Sequence, residues 1–128
     1  MRKYSFEKLE AWQESRILVK DIYLLTEKYP VSERYGIVNQ MCRSSISVSS
    51  NLAEGSSRTS NKDQAHFTQI SYGSLLELLN QLILSMDLGF ISEEQYLMRR
   101  EHIDIISYKL SALRKYQLNN KHNLNSKR

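Results

Sequence analysis

The sequence predicts an all-α protein, an antiparallel up-down-up-down bundle of four helices. Only one proline and four glycines interrupt its 128 residues. Between these breaks, apolar residues recur every three or four positions, which is the period of one helical face. The turns at the breaks are too short for crossover connections, and short turns join neighbouring antiparallel helices.

The first predicted helix runs from Phe6 to about Tyr29. Ser5 precedes it as the expected N-cap, because a serine hydroxyl accepts from the free N–H groups of a first turn. Tyr29 is followed by Pro30, and a residue before proline is disfavoured in the α region, so the helix ends there. Its apolar residues at helical spacing are Leu9, Trp12, Val19, Ile22, Tyr23 and Leu25.

The second predicted helix begins with Ser32 as its N-cap and runs to about Glu54. Glu33 falls in its first turn, where the helix dipole favours a carboxylate. Gly55 then supplies the residue at which the helix is expected to stop.

The third predicted helix, from about Asn61 to Leu88, is apolar nearly all round. One broad arc is formed by Phe67, Ile70, Leu75, Leu78, Leu82 and Met86. Four further residues, Leu76, Leu79, Ile83 and Leu84, fall largely outside that arc. One bundle core cannot cover both sets, so a second buried surface is expected.

The fourth predicted helix follows Gly89, which closes the third. Ser92 is its N-cap, with Glu93 and Glu94 in the first turn. Its core positions are Tyr96, Ile103, Ile106, Leu110 and Leu113, and an additional apolar edge is formed by Ile105, Tyr108, Ala112 and Tyr116. The surplus apolar surface on the third and fourth helices predicts a homo-oligomer.

The chain is modestly basic, with a net charge of +4, and its last residues concentrate this charge. From residue 114 onward there is no acidic residue, and four asparagines lie between the basic ones. We therefore expect a bundle domain of residues 1–118 and a flexible basic tail of residues 119–128. The tail is either an electrostatic arm for phosphates or a solvated terminus.

A polar stripe follows one face of the second predicted helix. It consists of Gln40, Arg43, Ser47, Asn51 and Glu54. A solvent-facing stripe usually mixes lysine with glutamate, whereas this one has small amides and hydroxyls, so it is expected to face protein or a ligand. With Glu33 and Glu77 these residues are candidates for a polar assembly network, in which Arg43 pairs with a carboxylate.

Catalytic and metal-binding patterns are not found. A di-iron bundle needs two Glu-x-x-His pairs, and the nearest match is a single Asp63-x-x-His66. No arginine is followed by four to six residues and then a histidine, the arrangement that helical ribonucleases of the HEPN type usually have. We expect no enzyme activity, metal or cofactor. The lone Cys42 and the lack of a long apolar run predict a cytoplasmic protein without a membrane segment.

Several short motifs, in order, resemble one known family. They are Phe6-x-x-Leu9-x-x-Trp12, Tyr29-Pro30, Glu33-x-Tyr35-Gly36, Gln40-x-x-Arg43, Asn51-Leu52-Ala53-Glu54-Gly55, Arg58, and Gly73-Ser74-x-x-Glu77. Together they resemble the four helix bundle family of the 23S rRNA intervening-sequence proteins, over roughly Phe6 to Leu113.

The resemblance implies an antiparallel four-helix bundle that assembles as a ring-like homopentamer. Most family members have no known biochemical role, and related accessory proteins of diversity-generating retroelements form basic pentamers that bind nucleic acid and a reverse transcriptase. Two positions depart from the family pattern. Family members commonly carry a proline in the second helix near the position of Ser49. They also have Ala-Ala after the motif arginine, where this chain has Ser44-Ser45.

Two functions remain open at this point. The first is a scaffold that binds RNA or DNA through phosphate contacts, for which the candidate residues are Arg2, Lys3, Arg58, Lys62, Arg114, Lys115, Lys121, Lys127 and Arg128. The alternative is a protein-interaction hub, without direct nucleic-acid binding, in which the polar stripe and Glu77 hold other subunits or a partner protein.

Overall fold

A computed structural model describes the backbone of residues 1–126 and the side chains of residues 1–119. Its four helices are α1 (Glu10–Thr26), α2 (Ile37–Ser56), α3 (Asn61–Asp87) and α4 (Glu93–Ser126). Two short 3-10 helices, Ser5–Lys8 and Val31–Glu33, precede α1 and α2. No strand occurs in the described backbone, and the predicted all-α class is confirmed.

Hydrogen bonds between α2 and α3 show that these helices are antiparallel. Ser85, late in α3, donates to the Met41 sulfur early in α2 at 3.5 Å. Ser71, earlier in α3, donates to the Val48 carbonyl oxygen further along α2 at 2.9 Å. Later residues of α3 thus contact earlier residues of α2, as the predicted up-down topology requires.

The fourth helix returns along α3 and closes the bundle against α1. Near the start of α3, Thr68 donates to Gln117 of α4 at 2.8 Å. Towards the end of α1, Asp21 accepts from Arg99 of α4. Helices adjacent in sequence pack together and α4 packs on α1. The α1–α4 side therefore lies opposite the α2–α3 side, and the predicted four-helix bundle is confirmed.

All four helices contribute to one apolar core. Its largest fully buried apolar side chains are Leu18, Ile22, Met41, Val48, Leu75, Leu78, Leu82, Ile103, Ile106 and Leu110. Burying a side chain of this size is worth about 1.5–3 kcal/mol, so the core is the main source of stability.

The start of α1 differs from the prediction. Ser5 begins a 3-10 turn instead of capping the helix, and Leu9 is extended at φ −75° and ψ 125°, so α1 starts at Glu10. The turn folds back so that the Phe6 and Trp12 rings meet edge to face, with centroids 5.0 Å apart. This packing outweighs the local preference for a continuous helix.

The limits of α2 also differ from the prediction. Ser32 and Glu33 lie in a 3-10 turn, and Gly36 at φ −107° and ψ −116° precedes the first residue of α2. At the other end α2 continues to Ser56, and Gly55 is a buried helical residue rather than a stop. The predicted cap at Ser32 and the predicted stop at Gly55 are therefore wrong.

The predicted N-cap of α4 and the turn before it are found. Ser92 accepts from the Gln95 backbone N–H at 3.1 Å, and the Gln95 side chain accepts from the Ser92 N–H at 2.9 Å. This reciprocal pair is a capping box. Gly89 adopts φ +80°, a left-handed conformation that favours glycine.

The surplus apolar surface remains exposed on the single chain. Leu76 and Leu84 of α3 are 43% and 44% exposed, and Tyr108 of α4 is 77% exposed. Ile70, predicted to belong to the core arc, is itself 38% exposed because the arc is narrower than the sequence indicated. Leu79 and Ile83 pack partly against the core instead.

Candidate nucleic-acid interface

The antiparallel order brings three distant basic segments to one end of the bundle. Residues 1–10, 54–66 and 109–119 meet there, and we call this the basic end. Its cations are Arg2, Lys3, Lys8, Arg58, Lys62, Lys109, Arg114 and Lys115, against the carboxylates Glu7, Glu10, Glu54 and Asp63. The described candidate residues for phosphate contact thus gather in one region.

The opposite end of the bundle carries the reverse charge. It is formed by residues 24–40 and 84–95, and we call it the acidic end. Its carboxylates are Glu27, Glu33, Asp87, Glu93 and Glu94, against the two cations Lys28 and Arg34. The charge of the bundle is therefore separated along the helix axes.

The turn between α2 and α3 fixes the first pair of cations. Arg58 pairs with Glu54 at 3.1 Å, and its guanidinium carbon lies 4.7 Å from the Phe67 ring centroid. Gln64 donates to the Arg58 carbonyl oxygen at 2.8 Å, which holds the turn against α3. Lys62, in the first turn of α3, is exposed.

The N-terminal segment places the second pair. Tyr4 N–H donates to the Glu7 carboxylate at 2.9 Å, which orders the 3-10 turn that follows. The guanidinium carbon of Arg2 lies 5.1 Å from the Tyr4 ring centroid, within range of a cation–π contact. Arg2, Lys3 and Tyr4 are all exposed.

The third pair, Arg114 and Lys115, is exposed on α4. The hydrogen bond from Thr68 to Gln117 ties this stretch to the start of α3. The predicted tail, residues 119–128, begins within α4, which continues to Ser126. The side chains of Lys121, Lys127 and Arg128 lie outside the described residues.

The polar stripe of α2 lies along its outer edge beside α3. Gln40, Arg43 and Glu54 are exposed, whereas Ser47 and Asn51 are half-buried. Ser47 and the α3 residue Ser74 share a hydrogen bond of 2.8 Å, and Asn51 donates to the Ser47 hydroxyl at 3.0 Å. The inner part of the stripe is thus a small polar link between the two helices.

The charged residues that were predicted to form the polar network do not pair with one another in the single chain. Glu54 pairs with Arg58, and Glu77 accepts from Gln81 at a long 3.5 Å. Arg43 forms no ion pair with any side chain among residues 1–119. Glu33 lies before α2 at the acidic end. The predicted pairing of Arg43 in an assembly stays a prediction.

A row of ion pairs that was not predicted from the sequence joins α1 and α4. Arg99 donates twice to Asp21, at 2.9 and 3.0 Å, and its side chain is only 14% exposed. Further along, Glu14 lies 3.5 Å from His102 and Glu10 lies 3.4 Å from Lys109. The one available signal was that all three α1 carboxylates fall on one helical face.

Among the side chains of residues 1–119, no group of three or more His, Cys, Asp or Glu could hold a metal ion. None of the helices within residues 1–126 combines the length and hydrophobicity needed to cross a membrane.

These features define the class of the protein, an all-α four-helix bundle with a basic end and an exposed polar stripe. The chain belongs to the 23S rRNA-intervening sequence protein family, whose family model matches residues 7–112. The resemblance found in the motifs is therefore confirmed. A search of curated proteins finds no significant match.

A solved structure has the same fold. It is a protein of unknown function from the S23 ribosomal protein family of Bacteroides thetaiotaomicron, with 19% sequence identity and a TM-score of 0.58. The match covers 87% of this chain and 97% of the other. At this identity the similarity establishes the architecture alone.

Proposed function

We propose that this protein is a non-enzymatic cytoplasmic scaffold that assembles as a homo-oligomer, a pentamer, and binds RNA or other nucleic acid. The basic end is the binding surface. The observation that carries the proposal is the gathering of eight cations from three distant segments at this end, opposite an acidic end. A polyanion docks with least electrostatic cost where such cations converge.

Phosphate contacts by exposed lysine and arginine do not depend on base sequence. Lys62 and Lys115 are exposed cations of this kind. Each phosphate contact releases bound counterions, so affinity falls steeply with salt. Assembly of several copies would multiply these contacts on one nucleic-acid molecule, which raises avidity without any new contact.

The test is fluorescence anisotropy with a labelled RNA over a range of salt concentrations. The double variant Lys62→Gln/Lys115→Gln should bind more weakly at low salt, and the slope of log affinity against log salt should fall by about two. The matched control is Lys28→Gln/Arg34→Gln, which removes the same charge at the acidic end.

Equal losses in the two double variants would contradict the assignment of the basic end, because they would indicate a general charge effect. Wild-type protein without measurable RNA affinity at low salt would reject nucleic-acid binding altogether.

A protein-interaction hub is the second candidate. It is favoured by the exposure of the charged residues Arg43 and Glu77 and of the apolar residue Leu84, which is 44% exposed, on α2 and α3. Charged groups around an apolar side chain are typical of the rim of a protein interface. Absence of RNA binding together with stable assembly would favour this function.

A further inference from the structure

A groove opens at the basic end between the start of α1 and α4. Its volume is about 360 Å³, within the range of ligand-binding clefts. Its apolar lining comes from Leu9 just before α1, from Ala11 of α1, and from Ala112 and Leu113 of α4. The groove therefore offers an apolar surface to a flat group, and the charged residues Lys8, Glu10 and Lys109 also line it.

Two lysines border this groove. Lys8 is exposed, and the Lys109 ammonium lies 3.4 Å from the Glu10 carboxylate, which is 79% exposed. An ion pair this exposed contributes little, so a phosphate can replace Glu10 as the partner of Lys109 at small cost. The surroundings favour an anion next to the apolar surface.

Exposed tyrosines flank the same part of α4. Tyr116 is 64% exposed and follows Ala112 by four residues, which places it one turn further along the same helical face. Tyr108, four residues before Ala112, is 77% exposed. An aromatic ring near cations stacks on a nucleobase whose face is free, and a base-paired duplex hides those faces.

We propose that this groove binds a nucleotide of an unpaired RNA segment, with the base against the apolar lining and Tyr116. Lys8 and Lys109 contact the adjoining phosphates. The inference rests on the proposed nucleic-acid binding at the basic end and names its substrate class as single-stranded rather than duplex. The stacking interaction supplies what phosphate contacts lack, a preference for exposed bases.

The test compares a single-stranded RNA with a duplex of the same length, at one salt concentration, by fluorescence anisotropy of the full-length protein. Tyr116→Ala should lower affinity for the single strand by about fivefold or more, because one base loses its stacking partner. Affinity for the duplex should stay within about twofold, because duplex binding involves the phosphates alone.

Two controls separate stacking from general effects. Tyr116→Phe keeps the ring and should restore wild-type affinity. Tyr35→Ala removes a tyrosine that is 88% exposed at the acidic end and should leave affinity unchanged. A 2-aminopurine probe in the single strand should also lose fluorescence on binding to the wild type, and much less with Tyr116→Ala.

Tyr116→Ala could weaken binding by changing the assembly, and light scattering would detect this as a change in mass. A second variant tests the groove without changing Tyr116. Ala112→Leu fills the groove at an exposed position and should weaken single-strand binding while Tyr116 is kept. Equal losses of affinity for single strand and duplex, or no loss in either variant, would overturn the proposal that the groove binds a nucleotide. The proposed salt-dependent binding at the basic end would still stand. Absence of all RNA binding would overturn both.

Discussion

At the scale of single residues, small side chains set how closely α2 and α3 approach. Gly55 is buried within α2, and a Cβ atom at this position would lie 2.6 Å from the Cβ of Phe67. Real carbon atoms do not approach so closely without displacement. The sequence indicated a glycine that ends a helix, whereas its role is to let the α3 backbone come near.

Gly55→Ala should therefore destabilise the fold by about 1–3 kcal/mol, the usual cost of overpacking. Gly73→Ala is the matched control, since Gly73 is helical and exposed with nothing within 4 Å of its added Cβ. It should stabilise the protein by about 0.5–1 kcal/mol, because alanine is the better helix former. Urea unfolding of both variants measures the difference, and changes of equal sign would contradict this account.

The environment of Tyr29 predicts a pH effect on stability. Its hydroxyl is buried and has no hydrogen-bond partner among the described side chains. Burial raises the pKa of Tyr29 above its ordinary 10.0, although nearby Ser85 and Arg99 act in the opposite direction. In the unfolded chain the phenol ionises first, so the folded state loses stability as pH rises above 10.

Tyr29→Phe should remove this part of the pH dependence. The free energy of unfolding of the wild type should fall relative to that of the variant above pH 10, and the difference should be constant below it. Urea unfolding between pH 7 and 11 gives both curves. Tyr35→Phe, at an exposed position, is the control and should follow the wild type. Parallel wild-type and Tyr29→Phe curves throughout would refute the assignment.

At the scale of helices, α1 and α4 are joined by polar contacts above the apolar core. Asp21 holds Arg99 through two hydrogen bonds, and Arg99 also donates to the Gln95 carbonyl oxygen at 3.3 Å. Because the arginine is mostly buried, loss of its carboxylate leaves a charge with poor access to water. The outer pair of Glu10 and Lys109 lacks this burial.

Asp21→Asn should accordingly cost about 1–3 kcal/mol of stability, while Glu10→Gln should cost less than about 0.5 kcal/mol. Both changes remove one carboxylate with little change in volume, so the comparison isolates burial. Thermal unfolding measures the effects, and high salt should reduce the Glu10→Gln effect further. Similar costs in the two variants would show that burial of Arg99 does not decide the strength of its pair.

The sequence predicted elements better than it predicted the contacts between them. Helical periodicity located all four helices, and the predicted Ser92 cap is confirmed by its local contact with Gln95, three residues away. The predicted starts of α1 and α2 were wrong because the residues before each helix fold into a 3-10 turn. The Asp21–Arg99 pair spans 78 residues, so only the tertiary structure brings it together. The basic end follows from the topology once the helices are antiparallel.

At the scale of the whole molecule, two opposite sides of the bundle expose apolar side chains to solvent. The α1–α4 side exposes Ile17 and Met98, which are 59% and 61% exposed. The α2–α3 side exposes the polar stripe together with Leu84. Because these two surfaces differ in chemistry, a contact between them is head-to-tail, and head-to-tail contacts form a ring when the rotation between neighbouring subunits closes. A ring built in this way is consistent with the proposed pentamer.

The stripe offers a direct test of assembly. Among the described residues of the single chain, Glu54 pairs only with Arg58 four residues away, and both side chains are about half exposed, so the pair is worth a few tenths of a kcal/mol. Glu54→Ala should then hardly affect an isolated subunit. If a neighbouring subunit covers the stripe, the same change removes a buried partner and should lower the melting temperature or dissociate the oligomer.

Asp104→Ala is the matched control for Glu54→Ala, because Asp104 forms a similar exposed pair with Arg100 on α4, away from the stripe. Light scattering over a range of protein concentrations measures mass, and calorimetry measures melting. We expect Glu54→Ala to shift the mass towards that of one 15.0 kDa chain, or to melt earlier at low concentration, while Asp104→Ala behaves as wild type. Wild-type mass and melting point in Glu54→Ala would place the assembly contacts elsewhere, because an uncovered stripe has no reason to depend on this carboxylate.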